Sequence, residues 1–355
     1  MSEDFDTVAY DTETVMYHDQ EIDISVFSDK IKSSIKDLIR QEYEYNYYGV
    51  DDIVANITDL NQHKVATTLL VNAIEVANTQ RKISTAVVEG YHPFDSYIIT
   101  KAIPRFIEHS LTFGMCGVQP IAQPLSYIYM LRMNKDGDRI SLAIQNAVAE
   151  TSSHKLCSIP LLEIQNKIQD DFYIENKLIS CIDALVIKPI LAATKIIDRL
   201  TSPSADKIYF AINRTANAIA MESRRSAGNA VLISHNVFEQ LCIAGHVELS
   251  YNGARIIEKY NEEEPILEAG NVGTLTNSSI KLYVCDWSTI DPELENDIIL
   301  VGYSGNQPVD AGAIYSPYET IQATISNDDM VIFTSKYNLY IDDNTSQYYG
   351  TIILE

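Results

Sequence analysis

Leu125-Ser126-Tyr127-Ile128-Tyr129-Met130-Leu131-Arg132-Met133, then Asn134-Lys135-Asp136-Gly137-Asp138, then Arg139-Ile140-Ser141-Leu142-Ala143-Ile144: the reading of this stretch decides the fold. Tyr127 to Met133 is β-branched and aromatic, Ile140, Leu142 and Ile144 alternate with smaller or polar residues, and turn formers lie between. Asp-Gly accepts the positive φ of a tight hairpin turn, which makes Asp136 and Gly137 the expected turn. Residues 125–155 then read as a long two-stranded finger. A lone hairpin is marginal in water, so this one needs a surface to lie on.

On the amino-terminal side of the finger, Ile99, Ile103, Phe106, Ile107 and Leu111 predict a helix over 97–113 that carries Pro104. Residues 63–90 suggest a short helix and a strand, broken by Gly90 to Pro93. Ile31, Ile35, Leu38 and Ile39 predict an amphipathic helix over 29–45. Residues 1–28 are acidic and aperiodic, an expected extended arm.

On the other side, Leu161, Ile164, Ile168 and Phe172 share one helical face. Leu178, Ile182, Leu185, Pro189, Ala193, Ile196 and Leu200 then step by three or four. Their phase predicts one long helix kinked at Pro189, with two helices, the second starting at Pro189, as the alternative. A helix over 207–223 is expected to end at Ala227-Gly228-Asn229. Short strands follow at Val231–Ser234, Val247–Tyr251, Ile280–Cys285, Ile298–Val301, Met330–Thr334 and Leu339–Asp342. Helices and a hairpin first, strands later, indicate an α+β protein rather than a doubly wound sheet.

The chain has 355 residues, 46% of them hydrophobic and 21% charged, enough for a sizeable core in two or three lobes. Its net charge of −23 excludes binding nucleic acid through phosphate neutralisation over the whole surface, and excludes an anionic membrane face as partner. Between Lys281 and Lys336 there are nine acidic residues and no Lys or Arg, which suggests a uniformly negative face. No uncharged apolar run is long enough for a membrane span, and the acidic start is the reverse of a secretory signal. Five separated cysteines without a CxxC pair read as reduced, mostly buried thiols, giving neither a disulfide framework nor a zinc site.

Catalytic signatures are missing. There is no P-loop, GxGxxG or HExxH, and Gly302-Tyr303-Ser304-Gly305 has its second glycine one place too early for a nucleophile elbow. His109 near Cys116 invites a nucleophile reading, although a small buried residue before a tight turn explains Cys116 better. His235 fits a turn at a strand end. Arg224-Arg225 is a compact basic spot, readable as a helix cap or as an anchor for acid on a neighbouring subunit. No catalytic residue, metal ligand or cofactor site is expected.

Three segments taken together carry a resemblance. Ala102-Ile103-Pro104-Arg105-Phe106-Ile107 leads to Cys116-Gly117-Val118-Gln119-Pro120; Arg224-Arg225-Ser226-Ala227-Gly228-Asn229 leads into a β-run; and Gly302-Tyr303-Ser304-Gly305 precedes Asp310-Ala311-Gly312-Ala313-Ile314-Tyr315-Ser316-Pro317-Tyr318. In this order they resemble the major capsid proteins of T-even-type tailed phages. The resemblance implies an HK97-like fold, and assembly or structural roles for Gly117, Val118, Gln119, Pro120, Arg224, Arg225, Gly228, Asn229, Asp310, Ala311, Gly312, Tyr315, Pro317 and Tyr318. It also implies a division of the chain: 1–50 the amino-terminal arm and helix, 51–124 the first part of a peripheral domain, and 125–158 the extended loop. Residues 159–200 would complete the peripheral domain with its spine helix, 201–300 would be the axial domain, and 301–355 the closing strands.

The chain departs from that family in having no room between Asn134 and Pro160 for an inserted domain, so it looks like a reduced relative. No Leu/Ile-x-Glu cleavage sequence occurs in the first 160 residues, so the arm is expected to stay attached. The function implied is a shell subunit that forms hexamers and pentamers around double-stranded DNA, located in the virion and assembled in the host cytoplasm. Its partners would be itself, scaffold, portal, and vertex or decoration proteins, with DNA enclosed but not specifically bound and no membrane. A vertex protein of the same fold is the near alternative, and a Cys or Ser hydrolase the remote one.

Overall fold

The computed structural model describes residues 14–17, 20–23, 60–83, 98–136, 139–167, 173–250, 270–294, 297–326 and 330–355. Strands β1 (Thr14–Tyr17) and β2 (Gln20–Asp23) pair as a small hairpin within the acidic arm. Helix α1 (Leu60–Ile83) has 24 residues, where a short helix and a strand were expected. The helix expected at 29–45 and any strand beyond Ile83 lie outside the described residues. A π-helical turn, Ile98–Ala102, runs into α2 (Ile103–His109), with Pro104 in its first turn, where a missing N–H costs nothing. A short α3 (Thr112–Met115) leads into β3 (Gly117–Val118).

The finger is present, and its limits are sharper than expected. β4 (Leu125–Asp136) and β5 (Arg139–Glu150) pair antiparallel without a slip from Leu125↔Glu150 to Asp136↔Arg139. Gly137 itself is outside the described residues. Residues 152–160 do not belong to the finger: they form β6 (Ser152–Pro160), which joins another sheet.

Helices α4 (Leu161–Lys167) and α5 (Tyr173–Ala193) follow. α5 continues through Pro189, whose ring lies on an exposed face, while Leu178, Ile182, Val186 and Ile190 are buried. It does not reach Leu200. Thr194 leaves the helix, its hydroxyl donating to Leu191 O and meeting Thr351, and Lys195–Leu200 is strand β7. Ile196 and Leu200 satisfied the helical period, but the β-branched pair Ile196-Ile197 is drawn into a sheet by the strand beside it. α6 (Ala205–Ser223) is capped by Ser204 and ends at Arg224, which is left-handed at φ 56° and gives its N–H to Ala220 O. The chain therefore leaves the helix three residues before Ala227.

The remaining elements are β8 (Ala230–Ile233), α7 (His235–Ile243), β9 (Val247–Leu249), β10 (Gly270–Leu275), β11 (Lys281–Val284), α8 (Trp287–Ile290), β12 (Asp297–Gly302), β13 (Ile314–Ile325), β14 (Met330–Tyr340) and β15 (Tyr349–Leu354). Seven strands form one sheet in the order β7-β15-β12-β8-β11-β10-β9, and four form a second in the order β3-β13-β14-β6. The class is α+β, as expected. β14 is a single strand where two were read, because Lys336 and Tyr337 continue the ladder. One large core joins the faces of α1, α2, α5 and α6 to both sheets. A smaller one, made by Ile121, Ile128, Met130, Ala149, Ala311 and Ile314, fixes the hairpin to β13. No described helix is long and apolar enough to cross a membrane.

Candidate functional site

The segments singled out from the sequence, more than seventy residues apart in the chain, meet at the root of the hairpin. β3 lies parallel to the start of β13. Gly117 N donates to Ala313 O, Gln119 N to Tyr315 O and Ile121 N to Pro317 O, at 2.9, 2.9 and 3.1 Å. Pro120 falls between two donors, where the ladder asks for none. Val118, on the other side of the ladder, is buried. A Cβ on Gly117 would sit 2.0 Å from Pro308 O, so only glycine fits there. Gln119 is the first clamp on the finger: its amide donates to Tyr129 O (2.6 Å) and Pro308 O (3.1 Å), and its carbonyl accepts from Tyr129 N (3.0 Å).

Arg132 is the second clamp. It is the one charged residue in the apolar run from Tyr127 to Met133, and it shares a strand face with Ile128 and Met130. It is 1% exposed. Its guanidinium donates to Ala311 O (2.8 Å), Gly312 O (3.0 Å) and Asp342 Oδ2 (3.0 Å), and it lies over the Tyr348 ring. Four directed interactions answer the cost of burying that cation. Gly312 has no room for a side chain, since a Cβ would meet Tyr348 and Tyr349 at 2.5 Å. Leu131 N adds a backbone bond to Val309 O.

The second and third segments join each other directly. Arg225 Nε donates to Asp310 Oδ1 at 2.8 Å, Arg225 Nη2 donates to Oδ2, and Tyr303 OH donates to Oδ2 at 2.9 Å. The carboxylate raises the Arg225 pKa, and burial followed by Asp310 pushes the Tyr303 phenol up to about 12. Arg225 is thus tied inside its own subunit, and the intersubunit-anchor reading does not hold for it; Arg224 serves the helix cap. Asn229 imitates a strand, giving its amide to Ser304 O (2.8 Å) and taking Ser304 N (3.0 Å). Gly228 N donates to Ala216 O. Tyr315 is fully buried, and Tyr318 O accepts from Asn72 Nδ2.

The acidic stretch 282–335 is not a uniformly negative face. Asp310 is paired with Arg225, Glu319 is buried against Lys336, and Asp291 holds Lys188 at 2.8 Å. Cys116 is buried and its thiol pushed up by that burial, while His109 contacts Arg105 and Glu108. Ser304 Oγ donates to Cys116 O from a loop. His235 opens α7, directly after the Ser234 cap, rather than closing a turn.

The arrangement is mechanical: it holds the inner face of the hairpin on the body and leaves the outer face bare. Tyr127 (62% exposed), Val148 (57%) and Ile144 (68%) lie on that outer face with Leu125, Tyr129 and Leu142. Their cross-strand partners are Tyr127↔Val148, Leu131↔Ile144 and Met133↔Leu142, so they form one apolar surface.

Residues 191–352 match the family model described as major capsid protein Gp23. Over this segment the chain is similar to the Gp23 capsid proteins. The match includes Arg224–Asn229 and Asp310–Tyr318; Gly117–Pro120 and the hairpin lie before it. A major capsid protein of Serratia phage KSP90 is 29% identical over 115 residues, 32% of this chain. That alignment spans about a quarter of the relative (24%). Among solved structures, the chain is similar to Mycobacterium phage Che8 (TM-score 0.38, 10% identity, 66% of this chain and 85% of that one). It is also similar to the capsid of cyanophage P-SCSP1u (0.37, 7%, 70% and 89%) and to a virus-like particle from Pyrococcus furiosus (0.35, 17%, 80% and 96%).

Proposed function

We propose that this chain is the major capsid protein of a tailed phage, an HK97-like subunit that builds hexamers, and pentamers at the vertices, of an icosahedral head. The observation that carries this reading is the hairpin, clamped at its root and apolar on its outer face. Monomeric proteins seldom leave so large an apolar surface bare, and such a surface marks an interaction site. A neighbouring copy of the chain is its occupant, because a shell subunit meets only its own kind over most of its surface. Each large side chain covered there contributes about 1.5–3 kcal/mol, enough in sum to order a lattice of weak contacts.

In this reading, residues 1–50 act as the arm and the hairpin, 125–150, as the extended loop, shorter than the expected 125–158 because β6 belongs to another sheet. Residues 51–124 and 159–200 form the peripheral domain, 201–300 the axial domain, and 301–355 the closing strands. The subunit is structural rather than enzymatic. It meets scaffold and portal proteins during assembly in the host cytoplasm, and it encloses DNA that its net negative charge repels.

The test is a double variant, Tyr127→Ser with Ile144→Ser. Both side chains point away from the body, whereas a deletion through Met130 and Arg132 would also break the clamp. Wild-type protein is expected to form rings or shells in electron micrographs, and the variant to stay a folded monomer of 39.8 kDa in sedimentation. A wild-type chain that stays monomeric under all conditions, or a variant that forms normal shells, overturns the proposal.

A further inference from the structure

Two adjoining cavities, of about 660 and 410 Å³, open where α6, the turn between β10 and β11 and the loop after β12 come together. Asn229, Ser279, Asn306 and Gln307 line both, so they form one cleft. Its larger end is rich in amides and hydroxyls, with Asn213 and Asn217 from α6 near Ser226. Its smaller end is apolar at Val65, Phe113 and Tyr283 and carries a cation, Lys281.

The charge of this lining is unlike that of the chain, whose net charge is −23. Asp310 is the only carboxylate among the lining residues, and Arg225 neutralises it. Elsewhere Lys188, Lys195, Arg199 and Arg214 each hold a carboxylate. Lys281 is exposed and has no ion pair among the described residues, and the same holds for Lys64, which precedes Val65 on α1. The cleft is therefore a place where acid can approach this acidic chain.

We propose that the cleft is the docking site of the chain's own residues 1–13. That segment lies outside the described residues and contains Glu3, Asp4, Asp6, Asp11 and Glu13, with no Lys or Arg. Phe5, Val8 and Tyr10 are interspersed with those acids. Such a segment meets each part of the lining: carboxylates for Lys281 and Lys64, apolar side chains for Val65 and Phe113, and main-chain groups for the Asn and Ser side chains. The 36 residues between Asp23 and Leu60 would cover about 120 Å if extended, so the cleft is within reach of the same chain. A tether holds the segment at an effective concentration of up to about millimolar, so weak contacts suffice and a second copy competes poorly in dilute solution. Leu131 also lines the larger cavity, so a docked arm lies beside the root of the hairpin. The inference does not rest on the assembly reading.

The test uses the full chain, as an equal mixture of unlabelled and nitrogen-15 protein, and a water-soluble carbodiimide that joins a carboxylate to an amine only where they touch. Peptide mapping is expected to find Lys281 linked to a carboxylate of residues 1–13, with both peptides carrying the same isotope. The yield should fall by about fivefold in 1 M salt, where screening acts within about 3 Å. Linked pairs of mixed isotope would put the arm of a second copy in the cleft and overturn the proposal, as would a map with no link between residues 1–13 and Lys281. A second measurement needs no cross-link. Glu3→Gln, Asp4→Asn and Asp6→Asn together leave the body untouched. Acetylation of Lys281 by acetic anhydride should then run about threefold faster than in wild type, while exposed Lys207 reacts at an unchanged rate. A Lys281 rate that does not move overturns the proposal too.

Discussion

The seven-stranded sheet and the hairpin are built from the same kinds of residue and meet opposite fates. In β8, Ala230, Val231, Leu232 and Ile233 are all buried, covered by elements of the same chain. In β4 and β5, one face buries Ile128, Met130, Arg132 and Ala149, yet the other carries Leu125, Tyr127, Tyr129, Leu142, Ile144 and Val148 in the open. The sheet completes its core within one subunit; the hairpin supplies half of a core. Apolar sequence therefore marks where water is excluded, and only the three-dimensional arrangement tells whether this chain or another one excludes it.

The contrast predicts a gradient of effects on the isolated subunit. Arg132→Met should have the largest, because it leaves Asp342 and two carbonyls without their donor on the buried side of the hairpin. A loss of about 3–5 kcal/mol in urea unfolding is expected, with faster amide exchange along β4 and β5. A loss under about 1 kcal/mol would show that the inner face is held by the small apolar cluster and not by the clamp.

Next comes Asp183, buried in α5, which accepts Ser110 Oγ (2.5 Å), Leu111 N (3.0 Å) and both donors of Thr112. Burial outweighs these bonds and pushes its carboxyl up to about 6. A carboxyl raised on folding gives stability that is fully present below its unfolded value near 4 and is lost as the pH rises through about 6. Wild type should therefore gain about 2 kcal/mol over Asp183→Asn between pH 7 and pH 4, read from paired urea curves. Equal slopes in the two proteins would place the titration elsewhere.

Asp310→Asn is expected to cost about 1–3 kcal/mol, since it removes the carboxylate that joins Arg225 and Tyr303. The smallest effect belongs to the bare face. Ile144→Ser should change the unfolding midpoint of the monomer by less than about 0.5 kcal/mol, while weakening self-association in sedimentation. A strongly destabilised Ile144→Ser monomer would mean that the outer face is covered by its own chain, and the contrast between the two regions would fail.

Much of this was legible in the sequence, for identifiable reasons. The hairpin announced itself because alternation and Asp-Gly agree. The site segments could be picked out, but their convergence could not, since Arg225 and Asp310 are 85 residues apart. Arg132 left a readable signal, a lone cation in register with Ile128 and Met130 on the inner face. β7 was misread because Ile196 and Leu200 keep the phase of α5, and only its pairing with β15 makes it a strand. β13 was missed because Pro317 and two register shifts break its alternation.

That pairing of β7 with β15 carries a consequence for timing. Gly350↔Lys195 and Leu354↔Leu200 close a loop of about 150 residues, and the strand in between, β12, can be enclosed only when β15 arrives. Such distant contacts are slow to find, because the entropy of the loop is lost before any ladder bond is gained. Until β15 docks, Lys195–Leu200 has no sheet to join, and its own periodicity favours prolonging the helix before it. The loop closure that sets these six residues in the sheet is therefore expected to be among the slower steps of folding.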